Sequence, residues 1–280
     1  MKIAVLSGKG GTGKTFVSVN LAACAPSALY LDCDVEEPNG HLFFKPEEVK
    51  TEKIYKLLPV YDPQLCDGCR KCVDFCRFHA LAYIRDKLKV FTEVCHSCGG
   101  CMLVCPNNAI REEKVEAGHI EMGRYKEVDV VTGMMNIGEA SGIPVIKGVL
   151  DQAEHTDREI TIIDCPPGSA CSVMESIEEA DYCILVGEPT IFGLHNFEMV
   201  HELTELMEKP CGVVINKATE ENSVLDDYCR EKGIHILERI PYTQKNAALG
   251  AQGKIVSEED PDMSVVFTNL LEKIRREVNP

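Results

Sequence analysis

The sequence predicts an α/β protein with a mostly parallel sheet, into which a small cysteine-rich α+β domain is inserted. Five short apolar runs without polar alternation indicate strands that are buried on both faces, and they lie at Ile3–Leu6, Ala28–Leu31, Thr161–Ile163, Cys183–Val186 and Val213–Ile215. Stretches with helical periodicity lie between most of them, at Thr15–Ala23, Phe197–Met207 and Ser223–Lys232. This alternation of strand and helix is typical of a parallel sheet with crossover helices.

The region between about residues 55 and 121 breaks this alternation, because it is dense in cysteine and has no long apolar strand. Four of its cysteines recur 29 residues later, and the pair Ala80-Leu81 recurs as Ala109-Ile110. Such an internal repeat indicates a duplicated half-domain. We therefore expect one α/β domain built from residues 1–55 and 122–280, with the inserted domain at residues 56–121.

Length and charge restrict the class of protein. The chain has 280 residues and a formal net charge of −16. Because such a surface repels phosphate backbones and anionic lipids, we expect neither nucleic-acid binding nor stable membrane association. No apolar run reaches the roughly 18 residues of a membrane span, and the first residues do not resemble a signal sequence. We expect a cytoplasmic protein, whose 15 cysteines are thiols or metal ligands and not disulfides.

Polar or glycine-rich segments follow each predicted strand. They begin at Gly8, Asp32, Asp164, Gly187 and Asn216. In open α/β sheets, ligands bind just beyond the carboxyl ends of the strands. The sequence therefore predicts a ligand site at this edge of the sheet.

The loop after the first strand identifies the ligand class. It matches the G-x4-G-K-S/T pattern and opens a helix, and it reads Gly8-Lys9-Gly10-Gly11-Thr12-Gly13-Lys14-Thr15. Its glycines let successive backbone N–H groups turn inward around an anion, to which the helix N-terminus adds positive potential. Lys14 then bridges the β- and γ-phosphates and Thr15 ligates magnesium. We predict binding of a nucleoside triphosphate with Mg²⁺.

Lys9 is a second lysine, which the general pattern does not require. With it the loop resembles the K-G-G-x-G-K-S/T loop of the MinD/ParA family of deviant P-loop ATPases, relatives of which include the nitrogenase iron protein and the Mrp-type cluster carriers. This resemblance implies an ATP-dependent homodimer, in which Lys9 reaches the nucleotide of the partner subunit. The alternative is a solvated loop lysine.

The resemblance continues at two other strand ends. Asp32-Cys33-Asp34 is similar to the D-x-D of switch I, which implies that Asp34 orients the attacking water and Asp32 supports the magnesium shell. Asp164-Cys165-Pro166-Pro167-Gly168 resembles switch II, which implies that Asp164 holds a magnesium-bound water and the Gly168 N–H senses the γ-phosphate. Lysines, magnesium and carboxylates together can neutralise the charge and position a water for phosphoryl transfer. ATP hydrolysis is the implied activity.

Two further segments resemble the base-binding parts of the family. Asn216-Lys217 is similar to the asparagine motif that reads adenine, and Ile240-Pro241-Tyr242 to the loop that closes on the base. This resemblance implies that Asn216 and Pro241 contact the base. The chemistry of the residues alone leaves guanine open, and the family favours adenine.

The repeated cysteines have the spacing C-x2-C-x2-C-x3-C twice, which is that of bacterial ferredoxins with two [4Fe-4S] clusters. In that pattern three cysteines bind one cube and the fourth binds the other. We predict a first cluster at Cys66, Cys69, Cys72 and Cys105, and a second cluster at Cys95, Cys98, Cys101 and Cys76. Zinc is the alternative, although zinc sites favour pairs of C-x2-C separated by a longer loop.

One other cysteine has a suggestive position. Cys171 lies seven residues after Asp164, the offset at which the nitrogenase iron protein places a cluster-bridging cysteine. The second ligand of such a bridge has no counterpart, because no cysteine lies between Cys105 and Cys165. A third metal site between subunits remains an alternative to a free thiol.

The last stretch of the chain has helical spacing of apolar residues, at Val265, Val266, Leu270, Leu271, Ile274 and Val278. It resembles the membrane-targeting tail of MinD, but its charges are mixed and not basic. We therefore expect a helix that packs on the sheet.

Three functions follow from these residues and the resemblance. The first is an ATPase whose nucleotide-dependent dimer change is coupled to two [4Fe-4S] clusters, for electron transfer or for cluster delivery to a redox or metallocluster partner protein. The second is a positioning ATPase of the MinD/ParA kind, in which the clusters are structural or redox-sensing. The third is a nucleotide-regulated electron carrier whose hydrolysis is vestigial.

Overall fold

A nine-stranded sheet organises residues 1–219 and 223–278, which are the residues that the computed structural model describes. The strands are β1 (Lys2–Leu6), β2 (Ala28–Asp32), β3 (Glu47–Tyr61), β4 (Leu81–Ile84), β5 (Lys87–Val90), β6 (Ile110–Tyr125), β7 (Val128–Met135), β8 (Ile160–Asp164), β9 (Tyr182–Gly187), β10 (Cys211–Ala218) and β11 (Ile236–Pro241). Their order in the sheet is β11-β10-β9-β1-β8-β2-β7-β6-β3, while β4 and β5 form a separate hairpin. The strands from β11 to β7 are parallel, whereas β6 and β3 are antiparallel.

The helices connect these strands on both faces of the sheet. They are α1 (Lys14–Cys24), α2 (Gly40–Phe44), α3 (Lys71–Phe75), α4 (Gly100–Leu103), α5 (Ile143–Asp151), α6 (Cys171–Ile177), α7 (Ile191–Leu206), α8 (Val224–Lys232), α9 (Gln244–Ala251), α10 (Val256–Glu259) and α11 (Pro261–Val278). Local sequence sets their ends, as α8 illustrates. The Ser223 hydroxyl and the Asp226 carboxylate form a capping box at its start, and Gly233 ends it in the left-handed conformation with φ +69°.

All five predicted strands lie within strands of the sheet, and the prediction of a mostly parallel α/β fold is confirmed. Four further strands of this sheet, β3, β6, β7 and β11, are not among the predicted ones. The region after residue 55 has no long apolar strand, yet β3 and β6 both extend into it and pair along their length. The sequence pattern does not indicate β3 and β6, because many of their side chains are charged and exposed.

The cysteine lobe, which we define as residues 62–109, lies between the end of β3 and the start of β6. It contains the short helices α3 and α4, the β4–β5 hairpin and a 3₁₀ turn at Thr92–Val94. Its small apolar core forms around the buried side chains of Cys72, Leu81, Leu88 and Ile110. The lobe is therefore attached to the sheet by two paired strands and not by a flexible linker.

The C-terminal helix α11 packs against the sheet as expected. Phe267, Leu270 and Ile274 are fully buried in the core that also contains residues of α1, β1 and β2. Val265, which was expected on the apolar face, is 59% exposed. Within residues 1–219 and 223–278, the structure contains no helix that is both long and apolar enough to span a bilayer.

We expect Phe267→Ala to lower the free energy of unfolding by about 3–5 kcal/mol, because it removes a fully buried ring from this core. The matched control is Val265→Ala on the exposed side of the same helix, which should change stability by less than about 0.5 kcal/mol. Urea denaturation followed by circular dichroism measures both. Equal effects of the two substitutions would contradict the packing of α11.

Candidate functional site

The loop between β1 and α1 is fixed by contacts that tolerate only glycine at two positions. Gly13 has φ +104°, and a Cβ there would lie 2.0 Å from Nδ2 of Asn216. A Cβ on Gly8 would lie 2.1 Å from the carbonyl oxygen of Asn196. The Asn216 amide also donates a hydrogen bond of 2.8 Å to the carbonyl oxygen of Thr12. The end of β10 therefore holds the loop from the side opposite the switch segments.

Lys14 is buried among carboxylates at the carboxyl edge of the sheet. Its Nζ lies 2.6 Å from Oδ1 of Asp164 and 3.5 Å from Oδ2 of Asp34. Burial alone would lower the pKa of Lys14, but the charges of Asp164 and Asp34 raise it by more, so the side chain stays protonated. The structure thus brings together three of the side chains that were predicted to be catalytic.

Asp32 and Tyr30 organise the same corner from β2. Asp32 accepts backbone N–H groups of the loop that follows β2, at 2.8–3.2 Å. Burial and the nearby charge of Asp164 raise the pKa of Asp32 to about 7. The fully buried Tyr30 donates its hydroxyl to Oδ2 of Asp164 at 2.8 Å. Sequence reasoning missed Tyr30, because nothing in an apolar strand reveals that one aromatic residue meets an acid from another strand.

Glu188, at the end of β9, binds the other two lysines of the site. Lys9 Nζ lies 2.8 Å from one carboxylate oxygen, and Lys217 bonds to the other. Lys217 also donates to the carbonyl oxygen of Gly11 at 3.0 Å. Burial would raise the pKa of Glu188, but hydrogen bonds from Lys217 and Lys9 lower it by more. Lys9 is therefore held within its own chain, and contact with a partner's nucleotide would require it to leave Glu188.

Two cavities lie on either side of the loop. The first, of about 480 Å³, is lined by loop and switch residues that include Lys9, Gly10, Gly11, Lys14, Thr15, Asp34, Pro166 and Pro167. The second, of about 230 Å³, is lined by residues that include Phe16, Phe43, Asn216, Ile240, Pro241 and Tyr242. A polar, lysine-lined cavity suits phosphates, and an aromatic-lined one suits a base.

The switch II glycine is already engaged within the chain. Gly168 has φ +91°, and its N–H donates to the carbonyl oxygen of Ser7 at 2.9 Å. The same N–H was predicted to sense the γ-phosphate. A role as sensor would therefore involve exchanging the Ser7 carbonyl for a phosphate oxygen.

The eight predicted cluster cysteines all lie in the cysteine lobe. The four predicted ligands of the first cluster line one small cavity, although Cys105 is 33 residues or more from the other three, Cys66, Cys69 and Cys72. Burial and the neighbouring Cys105 and Cys66 thiols raise the pKa of Cys72. For the second set, burial and the proximity of Cys95 and Cys98 raise the pKa of Cys101 to about 11. Cys76 packs against the same core as Cys101.

The backbone repeats the sequence duplication. Positive φ angles recur at three pairs of positions that are 29 residues apart, Gly68 and Ser97, Arg70 and Gly99, and His79 and Asn108. The N–H of His79 bonds to the carbonyl of Cys76, as that of Asn108 does to the carbonyl of Cys105. The two cysteine loops are therefore equivalent in conformation as well as in spacing.

The eight thiols of the lobe are of the donor type that [4Fe-4S] clusters require. Within the described residues, no three Cys, His, Asp or Glu side chains converge to hold a single metal ion. A cube does not require such convergence, because each cysteine binds a different iron atom. The hydroxyl oxygen of Ser97, between Cys95 and Cys98, is buried and has no hydrogen-bond partner in the described part of the chain. A buried hydroxyl without a partner at this position can donate a hydrogen bond to a cluster sulfur.

A cleft of about 1060 Å³ lies between the cysteine lobe and the switch segments. On the lobe side it is lined by Phe78 and His96, whose rings stack at 3.9 Å, and by Cys98. On the opposite side it is lined by the residues that follow switch II, among them Cys171. Cys171 is the exposed first residue of α6. The cleft therefore separates a predicted cluster ligand from the nucleotide-binding domain.

The strand order, the glycine loop and the lysine–carboxylate cluster define the chain as a nucleotide-binding protein of the P-loop class. Residues 3–256 match the family described as the CobQ/CobB/MinD/ParA nucleotide binding domain. The chain belongs to this family.

Solved structures of the family have the same fold. The cell division ATPase MinD of Pyrococcus furiosus aligns with a TM-score of 0.62 and 19% identity over 98% of each chain. The septum site-determining protein MinD of Pyrococcus horikoshii, in complex with Mg-ADP, aligns with a TM-score of 0.60 and 17% identity over 99% of this chain and 97% of that one.

Curated sequences are also similar to this chain. The uncharacterised protein MJ0578 of Methanocaldococcus jannaschii is 29% identical over 228 residues, which cover 79% of this chain and 80% of that protein. A protein of Pyrococcus horikoshii named iron-sulfur cluster carrier protein is 24% identical, over 98% of this chain and 85% of its own length.

We expect Lys14→Met to lower the free energy of unfolding without nucleotide by about 3–5 kcal/mol, because it leaves the buried Asp164 without its cation. Lys2→Met is the control, since it removes the Lys2–Glu179 pair, whose glutamate is 68% exposed, and should cost less than about 1 kcal/mol. Urea denaturation of the nucleotide-free protein measures both. A stability loss no larger than that of the control would contradict the role of Lys14 in balancing this charge.

Proposed function

We propose that this protein is a cytoplasmic ATPase that carries two [4Fe-4S] clusters in an inserted bacterial-ferredoxin-like domain at residues 56–121. Nucleotide binding would change its dimer and thereby control electron transfer through the clusters or delivery of a cluster to a partner protein. The observation that carries the proposal is the cavity in which cysteines of both repeats meet, in a chain with a complete phosphate-binding loop.

Lys14, Thr15, Asp34 and Asp164 are the residues that we assign to the nucleotide reaction. Lys14 binds the β- and γ-phosphates, and the Thr15 hydroxyl ligates Mg²⁺. Asp164 is held by Lys14 and by a tyrosine hydroxyl, which fix its orientation for a magnesium-bound water. Asp34 is half-buried near Lys14, where its carboxylate can orient the attacking water.

In this proposal, Lys9 is the residue that makes ATP hydrolysis depend on dimerisation. In the single chain its ammonium group is bound to Glu188, which competes with phosphate for it. A partner's nucleotide offers several phosphate charges in place of one carboxylate, so Lys9 would exchange partners on dimerisation. Hydrolysis by the monomer would accordingly be slow. The Asn216 and Pro241 side chains line the cavity that would hold adenine.

The cysteines bind the clusters in crossed sets, as the ferredoxin spacing implies. The first cluster is held by Cys66, Cys69, Cys72 and Cys105, and the second by Cys95, Cys98, Cys101 and Cys76. When bound, each cluster stores one electron at low potential. Two of these thiols, Cys72 and Cys101, lie on the short helices α3 and α4, which pack around the lobe's own small core. The cluster-carrier name of the Pyrococcus horikoshii relative supports an iron–sulfur role.

A second candidate function is a positioning ATPase with structural or redox-sensing clusters. It is favoured by the similarity in fold to the two MinD proteins. The formal charge of −16 and the buried apolar face of α11 argue against DNA or membrane as the surface that is bound. Liposome flotation and a DNA gel shift with MgATP distinguish the two, because binding to either surface would favour this candidate.

The experiment that tests the proposed function is redox titration of the anaerobically purified protein, with and without MgATP. We expect about eight iron and eight sulfide per chain, and a midpoint potential that shifts when the nucleotide binds. The Lys14→Met variant, which should not bind nucleotide, is the control and should show no shift. Absence of iron and sulfide would reject the proposal, whereas identical potentials in both conditions would reject control of electron transfer and leave cluster delivery as the role of the nucleotide.

The crossed ligation makes a sharper prediction about individual cysteines. In a variant with Cys95, Cys98 and Cys101 all changed to serine, only the first cluster can form. Cys105→Ser added to this variant should then abolish the remaining electron paramagnetic resonance signal, while Cys76→Ser should leave it intact. The opposite pattern would mean that each repeat binds its own cluster with all four of its cysteines.

We expect Ser97→Ala to lower the midpoint potential of the second cluster. The reason is that a hydrogen bond to a cluster sulfur stabilises the reduced, more negative state. Ser97→Gly is the control for backbone strain, since it removes the same hydroxyl at a position whose φ is positive, and it should lower the potential equally. Protein-film voltammetry measures all three. An unchanged potential in the alanine variant would exclude a bond from Ser97 to the cluster.

A further inference from the structure

The segment of residues 136–142, which we call the connector, joins β7 to α5 and borders both the phosphate cavity and the cleft at the cysteine lobe. Its last residue, Gly142, lines both spaces. Glu36 of the loop after β2 and Ala170 and Ser172 after switch II also line both. The nucleotide-binding site and the cleft therefore share a wall, and any movement of the switches changes both cavities.

On one side, the connector and the last residue of β7 before it pack against Val35, the residue that follows switch I. The backbone N–H of Met135 donates to the carbonyl oxygen of Val35 at 3.0 Å. At the far end, a Cβ on Gly142 would lie only 2.6 Å from Cγ2 of Val35. Val35 follows Asp34 directly and is itself buried. Because the backbone at Gly142 leaves no room for a side chain beside Val35, and Met135 bonds to Val35, we expect a shift of Asp34 towards a nucleotide to displace the connector.

On the other side, the connector is bonded to the two strands that carry the lobe. The backbone N–H of Asn136 donates to the carbonyl oxygen of Ala117 on β6 at 2.9 Å, and its side-chain amide donates to the carbonyl of Glu116 at 3.1 Å. Glu139 forms an ion pair with Lys56 on β3, and these side chains are only 13% and 6% exposed. The connector thus holds both strands that lead into the lobe, six residues before the lobe on β3 and seven to eight residues after it on β6.

We infer that the connector transmits the nucleotide state from switch I to the cysteine lobe, with Asn136, Glu139 and Lys56 as its positioning residues. This inference rests on the proposed function, and it names the route by which that function is regulated. Movement of the connector shifts β3 and β6 through the buried ion pair and the two Asn136 bonds. It thereby changes the width of the cleft in front of Cys98 and the access of solvent to the second cluster.

The Lys56–Glu139 pair is suited to this role because it is buried. An exposed ion pair is weakened by water and salt, so its two side chains can separate when one of their strands moves. A buried pair that loses one partner leaves an uncompensated charge, so the two side chains move together. Lys53 on β3 and Glu116 on β6 form an ion pair with an N–O distance of 2.7 Å, and their side chains are 60% and 36% exposed. Lys53 lies three residues before Lys56 on the same strand. This exposed pair supplies a matched control.

The test measures iron release from the reduced, cluster-loaded full-length protein to a ferrous chelator, with and without MgATP. We expect MgATP to change the initial rate by about fivefold or more in the natural protein, which corresponds to an ordinary coupling between two sites. Glu139→Gln should reduce this nucleotide-dependent ratio to near one. Lys53→Gln, which breaks the exposed pair, should keep the ratio of the natural protein.

Two further measurements separate loss of coupling from loss of folding. The double variant Lys56→Met with Glu139→Leu removes both charges, so no buried charge is left unpaired, and it should also lose the ratio. Titration with a fluorescent ATP analogue should give the same affinity in every variant, since none of these residues lines the phosphate cavity.

The outcomes distinguish the inference from the function on which it rests. If the natural protein shows no effect of MgATP on iron release and no shift in potential, the proposed function fails. If the natural protein responds and Glu139→Gln and the double variant respond equally, the proposed function stands and the connector is not the route.

Discussion

One buried lysine among three carboxylates determines how this nucleotide-binding site is built. Lys14 lies between Asp164 and Asp34, with Asp32 behind them, and these side chains come from α1, β8 and the end of β2. Without phosphate, the lysine balances part of the acidic charge and the tyrosine hydroxyl of β2 supports Asp164. The strands must therefore keep their order and register for the charges to meet.

The same requirement for balanced charge explains how the two halves of the loop are restrained. On one side Glu188 binds Lys9 and Lys217, and on the other Asp164 binds Lys14. Lys9 and Lys14 are thus held by acids that follow or end β9 and β8, the two strands on either side of β1. A nucleotide competes with these carboxylates, which links phosphate binding to movement of the strand-end loops.

The cysteine lobe depends on the sheet for its position but not for its core. Its helices and hairpin pack around a few buried residues such as Leu81 and Leu88, while β3 and β6 continue into the large sheet. Two long paired strands are stiffer than the linkers that usually join domains. The buried pair of Lys56 and Glu139 then ties this extension to the connector. A small change at switch I can in this way reach the cysteine lobe.

The sequence by itself determined the parallel strands, the phosphate loop and the duplicated cysteine spacing, because each depends on residues that are close together in the chain. It did not reveal β3 and β6, whose charged, exposed side chains hide the alternation on which strand prediction depends. Tertiary structure alone decided that Tyr30 meets Asp164 and that Glu188 captures Lys9. These contacts join residues more than a hundred positions apart, and only the order of the strands in the sheet places their side chains within hydrogen-bonding distance.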